Sequence, residues 1–346
     1  MIRVFYILIS LLFYQSLIAQ NLNNLSFGTD TTFDIVSWNI EWFPKNNFTA
    51  DYVETILTNI QADIYALQEI NDTTKLKQIS DNMLGYESYF VSEYYGGLAY
   101  LYNTNNVEIN DRYEIFTSQS FWHIFPRSPQ VIDLNYKGKN YIIINNHFKC
   151  CGDGYLDLND SNDEENRRLQ AVNYLKQYID NNFAFKNVIL VGDLNDNIND
   201  FTSNNVFQSF IIDSNNYIFT DMQIAQGSNL FWSYPTWPSH LDHILISNEL
   251  FPSFYHINSE VSVIKVDDYM SSWNYYEYNV SDHRPIGLKL YHDNLSSDIN
   301  INKDQEEVIT IIDVFGRKVN INSNGIIFYI YKNGKVEKRL VNREYK

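Results

Sequence analysis

Five short segments of the sequence place a carboxylate or an imidazole beside an apolar run. They carry Glu69, His147, Asp193, Asp242 and His283. An apolar run of about four to eight residues is typical of a buried strand, and a polar residue at its end is delivered to the edge of a sheet. Oxygen ligands of this kind suit a hard divalent cation, and histidines suit proton transfer. The combination predicts metal-assisted hydrolysis, most simply of a phosphate ester.

The oxygen-bearing side chains of these segments match the ligands of a hard cation. Glu69 and Asp193 are candidate metal ligands, and Asn39 and Asn195 are candidate neutral partners. Mg²⁺ in proteins is typically held by about one or two carboxylates together with waters and phosphate oxygens of the substrate. A sparse set of carboxylates is therefore sufficient for Mg²⁺, with Mn²⁺ or Ca²⁺ as alternatives.

One histidine and one aspartate predict a proton-transfer pair. His283 precedes Arg284-Pro285 at the start of an apolar strand. A histidine in such a place can move a proton if a buried carboxylate holds its other nitrogen, and Asp242 is the candidate for that carboxylate. Each residue alone would be read as a surface carboxylate or a structural histidine. Their combination in one chain favours a catalytic site.

The elements that must position these residues alternate between strand-like and helix-like patterns. The clearest helix has Leu169, Val172, Leu175 and Ile179 at helical spacing, with acidic residues at its start. Some strands alternate with helices and others form hairpins, so the pattern predicts an α/β domain with mixed sheets. The predicted strands are 33–40, 63–70, 98–103, 131–136, 141–148, 188–193, 243–247, 261–266 and 286–291, and the predicted helices are 51–61 and 164–182.

Length and charge limit the class of protein. A chain of 346 residues has room for one large domain and an appendage. Its net charge of −17 argues against a protein that coats nucleic acid non-specifically, because such binding requires Lys and Arg. An enzyme that meets phosphate through a metal ion and a few local cations stays compatible with this charge.

The N-terminus predicts export. Arg3 is followed by an apolar stretch and then by small residues that end at Ala19, which is the pattern of a cleaved signal peptide over 1–19. The alternative is a membrane anchor, but the stretch is short for a span of about 20 residues. The predicted localisation is secreted or extracellular, with surface attachment as a further option.

The cysteine content excludes a disulfide framework. The chain has two cysteines, and they are the neighbours Cys150 and Cys151. Neighbouring Cα atoms are about 3.8 Å apart, which is below the usual range of about 4.4–6.8 Å for a disulfide, so a bridge between them would be strained. A vicinal bridge beside the site and a pair of free or intermolecular thiols both stay open.

The composition changes near residue 293. Residues 293–304 are rich in Asn, Ser and Asp and predict a linker. Residues 305–346 have β-like apolar runs separated by the turn sequence Asn-Ser-Asn-Gly and predict a small module resembling a β-sandwich. Residues 298–346 hold nine Lys/Arg against seven Asp/Glu, the reverse of the balance elsewhere, which supports a separate unit.

The ordered motifs resemble the endonuclease/exonuclease/phosphatase superfamily, which includes deoxyribonuclease I-like enzymes. The likeness extends from Phe33 to Tyr291 and includes Gly-Asp-Leu-Asn at 192–195, Asp-His-Ile at 242–244 and Ser-Asp-His-Arg-Pro at 281–285. It implies a catalytic domain over 30–292 with a four-layer α/β/β/α sandwich of two mixed sheets. It also implies divalent-metal-dependent hydrolysis of phosphoesters.

The resemblance implies roles on the metal and substrate side of the site. Asn39 would contact the metal or the phosphate, while Glu69 and Asp282 would be metal ligands. Arg127, within Phe-Pro-Arg-Ser-Pro at 125–129, stands where deoxyribonuclease-like members place an arginine on substrate phosphate. The alternative for Arg127 is an arginine in an ordinary surface loop.

The resemblance also implies catalytic roles. His147 would donate to the phosphate or the leaving group, Asp193 would position the attacking water, and Asn195 would stabilise the phosphorane. His283 would be a general base or a phosphate ligand, oriented by Asp242. Deoxyribonuclease I-like members carry a glutamate that pairs with the first histidine, whereas residues 96–100 contain no carboxylate. What orients His147 is therefore open.

The substrate is less constrained than the chemistry. Aromatic clusters at 94–95, 231–237 and 273–278 could stack on nucleobases, enter a lipid interface or pack over loops. A secreted enzyme with these histidines most resembles an extracellular endonuclease acting on DNA or RNA. One alternative is a sphingomyelinase-type lipid phosphodiesterase or another phosphoesterase of the same fold. A non-catalytic surface-binding module is an alternative of another class. A monomer with no stable protein partner is predicted.

The tail resembles the C-terminal sorting domain of type IX secretion. The similarity rests on a hydrophobic segment with Gly-Arg-Lys at 316–318, a Gly-Ile strand from 325 and a terminal Lys-rich strand. It implies the type IX secretion machinery as a partner. A small accessory β-domain is the alternative.

Overall fold

The computed structural model describes residues 21–91, 96–292, 308–314, 316–319, 325–332 and 336–341. The chain divides into two compact units, Met1–His292 and Asp293–Lys346. The predicted signal peptide at 1–19 and the predicted linker at 293–304 lie outside the described residues, so the domain boundaries stay predictions.

The larger unit contains two six-stranded mixed sheets. The strands are β1 (Thr32–Phe43), β2 (Ile64–Ile70), β3 (Tyr86–Tyr89), β4 (Gly97–Asn103), β5 (Val107–Glu114), β6 (Gln130–Tyr136), β7 (Lys139–His147), β8 (Val188–Asp193), β9 (Tyr217–Phe219), β10 (Asp242–Ser247), β11 (Glu260–Val263) and β12 (Ile286–Tyr291). The first sheet has the order β11-β12-β1-β2-β4-β3 and the second the order β5-β6-β7-β8-β10-β9. The helices are α1 (Thr49–Ile60), α2 (Thr73–Asn82), α3 (Glu164–Asn182), α4 (Gln208–Ile211), α5 (Met222–Ala225), α6 (Phe251–Phe254) and α7 (Trp273–Asn279).

Three hydrophobic clusters account for the layers. One cluster contains inward side chains of both sheets, such as Phe33 of β1 and Ile143 of β7. A second contains residues of β1 and β2 with the apolar face of α1, and a third contains residues of β7 and β8 with α3. The sheets therefore pack face to face with helices outside, and the predicted α/β sandwich is confirmed. Central strands such as β8 are buried along their length because both faces are covered.

Strand direction explains why polar residues collect at one edge. In the first sheet β1 and β2 are parallel and β12 is antiparallel to β1. In the second sheet β7 and β8 are parallel and β10 is antiparallel to β8. The ends of β1, β2, β7 and β8 therefore meet the starts of β12 and β10.

The smaller unit has β structure in its described residues. Strands β13 (Val308–Asp313), β14 (Gly325–Tyr331) and β15 (Val336–Val341) form an antiparallel sheet in that order. Ile327, Tyr329 and Tyr331 form its buried cluster. Across the described parts of both units, no helix has the length and apolar character needed to cross a membrane.

Candidate active site

The end of β8 is shaped by a glycine that no other residue could replace. Gly192 has a φ of +142°, and a Cβ built on it would lie 1.9 Å from the carbonyl oxygen of Asn146 on β7. The close approach brings His147 and Asp193, the last residues of β7 and β8, into register as neighbours. Asp193 Oδ1 accepts a hydrogen bond from the backbone N–H of Asn195 at 3.1 Å.

Asn39 connects the two sheets at this edge. Its Nδ2 donates to Glu69 Oε1 at 3.1 Å and to Asp193 Oδ2 at 3.0 Å. Glu69 adopts a φ of +62°, and its second oxygen accepts from the backbone N–H of Trp42 at 3.0 Å. The pairing of β1 and β2 shifts register between Asn39 and Phe43, which turns both polar side chains toward the same space.

His283 and Asp242 form a buried pair. His283 Nδ1 donates to Asp242 Oδ2 at 2.7 Å, and its Nε2 lies 3.7 Å from Asp193 Oδ2. Burial alone would lower the pKa of His283, but the carboxylates of Asp242 and Asp193 raise it well above its usual value. Trp38 Nε1 and the Tyr276 hydroxyl both donate to the His283 carbonyl, which fixes the backbone. The remaining oxygen of Asp242, Oδ1, is buried without a partner among the described residues.

His147 is held differently from His283. Its Nε2 lies 3.5 Å from Asp193 Oδ2 and 3.8 Å from Glu69 Oε1. Its Nδ1 is buried, and no described residue pairs with it. Burial, with the nearby charges of Arg127 and His283, lowers the pKa of His147 well below its usual value. The surroundings of His147 thus favour the neutral imidazole, whereas those of His283 favour the charged one.

Several carboxylates lie close together at this edge of the sheets. Burial, together with the negative charges of Asp242 and Glu69, raises the pKa of Asp193 to about 7, although the charge of His283 lowers it. Burial and the charge of Glu69 also raise the pKa of Asp282, against the effect of His283. The mutual repulsion of these groups is what a bound cation would relieve.

One cavity gathers most of the predicted residues. This strand-end cavity has a volume of about 650 Å³ and is lined by Glu69, His147, Asp193, Asn195, Asp282 and His283. Asn39 and Asp242 hydrogen bond to its lining residues from behind. Arg127 is not in this lining; its Nε donates to the Gly96 carbonyl at 2.9 Å, at the rim of a neighbouring pocket.

Sequence reasoning missed a buried triad behind Asp242. Asp221 Oδ2 accepts from His240 Nε2 at 3.0 Å and from His243 Nδ1 at 2.6 Å. His243 Nε2 also donates to the Asp196 carbonyl at 2.9 Å, so both of its ring nitrogens donate. The signal available in the sequence was that His243 directly follows Asp242, whereas Asp221 lies in a short loop with no pattern of its own.

A second missed group lines the same cavity. Arg168 of α3 pairs with Glu165 at 2.9 Å and with Asp196 at 2.8 Å. Its Nη1 donates to the carbonyls of Lys149 and Cys151, each at 2.8 Å. This buried arginine therefore anchors the loop that carries both cysteines to the loop that follows Asp193. Both thiols are free and exposed.

The fold has counterparts among solved structures. D. rerio TDP2 in complex with a single-strand DNA product is 14% identical, with a TM-score of 0.56, 76% of this chain covered and 100% of the other. The mannosyl-6-phosphatase of Bacteroides thetaiotaomicron is 15% identical, with a TM-score of 0.52 and coverage of 75% and 100%. The human Nocturnin catalytic domain with bound sulfate is 15% identical, with a TM-score of 0.50 and coverage of 75% and 94%. These likenesses show the fold.

A comparison with curated protein sequences gave no match. The model of the Endonuclease/Exonuclease/phosphatase family, by contrast, matches residues 36–283. The matched range begins just before Asn39 and ends at His283, so it includes every residue of the strand-end cavity named above. Members of this family are hydrolases of phosphoesters and generally use divalent metals. The chain therefore belongs to the Endonuclease/Exonuclease/phosphatase family.

Proposed function

We propose that the chain is a secreted, divalent-metal-dependent phosphodiesterase that cleaves DNA or RNA by in-line attack of a water molecule. The observation that carries this proposal is the meeting of Asn39, Glu69, Asp193 and the Asp242–His283 pair at one cavity. In one place, carboxylates can bind a divalent cation, amides can donate hydrogen bonds and imidazoles can transfer protons, and phosphoester hydrolysis uses all three.

The residues present fit a hard cation. Glu69 and Asp282 both line the cavity, and Asn39 holds Glu69 in place by donating to it through its side-chain nitrogen, while the side-chain oxygen of Asn39 accepts from the backbone N–H of Glu41. The two carboxylates would hold Mg²⁺, with Mn²⁺ or Ca²⁺ as alternatives, because carboxylate oxygens are ligands that such ions prefer. A bound divalent cation would polarise a phosphoryl oxygen and offset the charge that develops during cleavage.

The surrounding residues would handle the water and the phosphate. Asp193 contacts both Asn39 and Asn195, so its carboxylate is fixed where it could orient a water. His283 Nε2 points to the same space with its other nitrogen held by Asp242, which suits it to donate to or accept from the phosphate. His147 Nε2, 3.5 Å from the same Asp193 oxygen, is placed to donate to a phosphate oxygen or the leaving group.

Exposed aromatic rings support a nucleic acid substrate. Tyr234 and Trp237 line the cavity, and Trp237 is 74% exposed. A base can stack on such a ring regardless of its sequence. The TDP2 structure similar to this chain contains a single-strand DNA product. A sphingomyelinase-type activity is the second candidate, because the same exposed rings could enter a lipid interface.

Hydrolysis assays decide between the candidates. The mature chain is incubated with plasmid DNA, RNA and sphingomyelin, each with Mg²⁺, Mn²⁺, Ca²⁺ or a chelator. We expect nicking of DNA or cleavage of RNA that the chelator abolishes and that Asp193→Asn lacks. Sphingomyelin hydrolysis alone would select the lipid enzyme. No hydrolysis of any of the three substrates would contradict the nuclease and the lipid enzyme alike.

Glu69→Gln tests the metal assignment. The change removes one negative charge from a site with few ligands, and we expect divalent-metal affinity to fall on the order of 10- to 100-fold. Isothermal titration of the purified variant measures this without requiring turnover. Glu108→Gln, at an exposed position near the start of β5, is the control. Equal affinity in the Glu69 variant and the wild type would remove Glu69 from the ligand set.

Deletion of residues 305–346 tests the proposed sorting role of the tail. All predicted catalytic residues lie in the unit Met1–His292, so hydrolysis by the truncated chain in vitro should stay within about twofold of the full chain. We expect export or surface attachment in the native host to be lost, because the type IX machinery would no longer recognise the chain. Fractionation of culture medium and cells measures it, and normal export of the truncated chain would contradict the proposal.

A further inference from the structure

A second pocket lies beside the strand-end cavity and has a different character. This side pocket has a volume of about 230 Å³ and mostly apolar walls formed by Leu98, Trp122, Phe125 and Pro126. Phe125 and Leu98 are buried, whereas the Trp122 ring is 56% exposed. The volume is below the range of about 300–1,000 Å³ for pockets that hold drug-sized ligands, so it suits a single ring system.

Arg127 joins the side pocket to the catalytic residues. It lines the pocket, and its Nε bond to the Gly96 carbonyl fixes the guanidinium at the rim. The pocket borders the catalytic edge because Gly97, which lines it, pairs with Ile70 of β2, the residue directly after Glu69. Among the described residues, the two terminal nitrogens of Arg127 have no hydrogen-bond partner. A phosphate held at His147 could therefore be contacted by Arg127 while the group attached to that phosphate enters the pocket.

The polar side chain in the pocket defines the chemistry of that group. Glu114, the last residue of β5, lines the pocket and is half-buried. It is an acceptor, so it would select a ligand that carries N–H donors on an apolar, flat body. Burial raises the pKa of Glu114, and a hydrogen bond with the Gln130 side chain lowers it. A hydrogen-bond donor in the pocket would offset the free-energy cost of burying this carboxylate. A hydrocarbon chain would offer this half-buried carboxylate no donor.

We infer that the side pocket binds a nucleobase of the nucleotide next to the scissile phosphate, stacked on Trp122 and donating its amino group to Glu114. The inference rests on the proposed function, since it requires a nucleic acid substrate. It goes further by assigning a preference: adenine, cytosine or guanine, which carry exocyclic amino groups, over thymine or uracil. Arg127 is then the contact that sets the distance between the base and the cleaved bond.

Single-stranded oligonucleotides that differ at one nucleotide test the inference. That position carries an amino-bearing base, thymine or no base, and kcat/KM for cleavage at the adjacent bond is measured from the fragments. We expect the amino-bearing base to be cleaved roughly 5- to 100-fold faster than the abasic site, as base stacking on an aromatic side chain provides. Trp122→Ala should abolish this difference, and Glu114→Gln should abolish the preference over thymine while keeping the gain over the abasic site.

The control is Tyr255→Ala, which removes an exposed ring on the surface near α6 and should leave all ratios unchanged. Equal cleavage of base-containing and abasic sites by the wild type would overturn the inference that the side pocket binds a base, while leaving the nuclease function intact. Absence of nucleic acid cleavage altogether would instead overturn the proposed function and this inference with it. Loss of sphingomyelin hydrolysis in Trp122→Ala, with no dependence on the base, would assign the pocket to a lipid chain and also overturn the inference.

Discussion

Replacing His283 or Asp242 with alanine should lower kcat on plasmid DNA by about 10²- to 10⁴-fold, the usual contribution of general acid–base catalysis. The His283 ring is fixed by its 2.7 Å bond to Asp242 and by the hydrogen bonds to its own carbonyl. Without Asp242 the imidazole would lose both its orientation and the carboxylate that stabilises its charge. Loss of either residue should therefore disable the same step.

The double variant distinguishes a pair from two independent residues. Residues that act as a unit are strongly non-additive, so the double variant should be scarcely slower than the slower single variant. His256→Ala, whose ring stacks on Tyr291 at the far end of β12, is the matched control and should retain activity. If the two losses multiply, and Asp242→Ala lowers the melting temperature more than the rate, Asp242 is a structural carboxylate and the pair does not exist.

The strand ends could be predicted because each is a local pattern. The apolar runs before Glu69, His147 and Asp193 predict buried strands, and the structure has β2, β7 and β8 there. The turn between β6 and β7 is also a local pattern, because the Gly in Lys-Gly-Lys-Asn at 137–140 favours the positive φ that Gly138 adopts there. The convergence of these ends depends on strand order, which a linear pattern does not contain. The roles of the individual site residues stay predictions until variants are measured.

The strand β5 and the helix α2 were not predicted, because few of their side chains are apolar and buried. β5 has the sequence Val-Glu-Ile-Asn-Asp-Arg-Tyr-Glu and is exposed along much of its length. α2 buries only Leu76, Ile79 and Ser80, so its apolar stripe is narrow. Such segments become regular through pairing or packing with neighbours, a tertiary effect that overrides weak local preference.

The buried polar groups were not predicted because their members come from separate segments of the sequence. Asp221, His240 and His243 meet across three separate segments, and Arg168 reaches Asp196 from a helix 28 residues earlier. In sequence, these residues resemble ordinary surface charges. Only the fold shows that they are buried, and only burial makes their pairing energetically important.

Asp221→Asn should strongly destabilise the catalytic unit. Asp221 is fully buried and accepts from His240, His243 and the Ile244 backbone N–H. Both ring nitrogens of His243 donate, which identifies it as a buried cation, and removing its partner should cost about 3–5 kcal/mol of unfolding free energy. Asp213→Asn, which removes a partly exposed ion pair with Lys176, should cost at most about 1 kcal/mol. Chemical denaturation of both variants measures the difference.

The pH dependence of that loss tests whether the ion pair is its cause. Burial alone would lower the pKa of His243, but the charge of Asp221 raises it. The stabilisation that the charged His243 contributes is therefore complete below the unfolded pKa of about 6.5, and it is lost as the pH rises through the folded pKa. Burial alone would raise the pKa of Asp221, but His243 and His240 lower it, so its contribution is complete above about pH 4 and fades in stronger acid. The difference in unfolding free energy between the wild type and Asp221→Asn should therefore be largest from about pH 4 to 6.5. A gap that stays constant from pH 4 to 9 would mean that Asp221 stabilises the fold through hydrogen bonding alone, with no charge on His243.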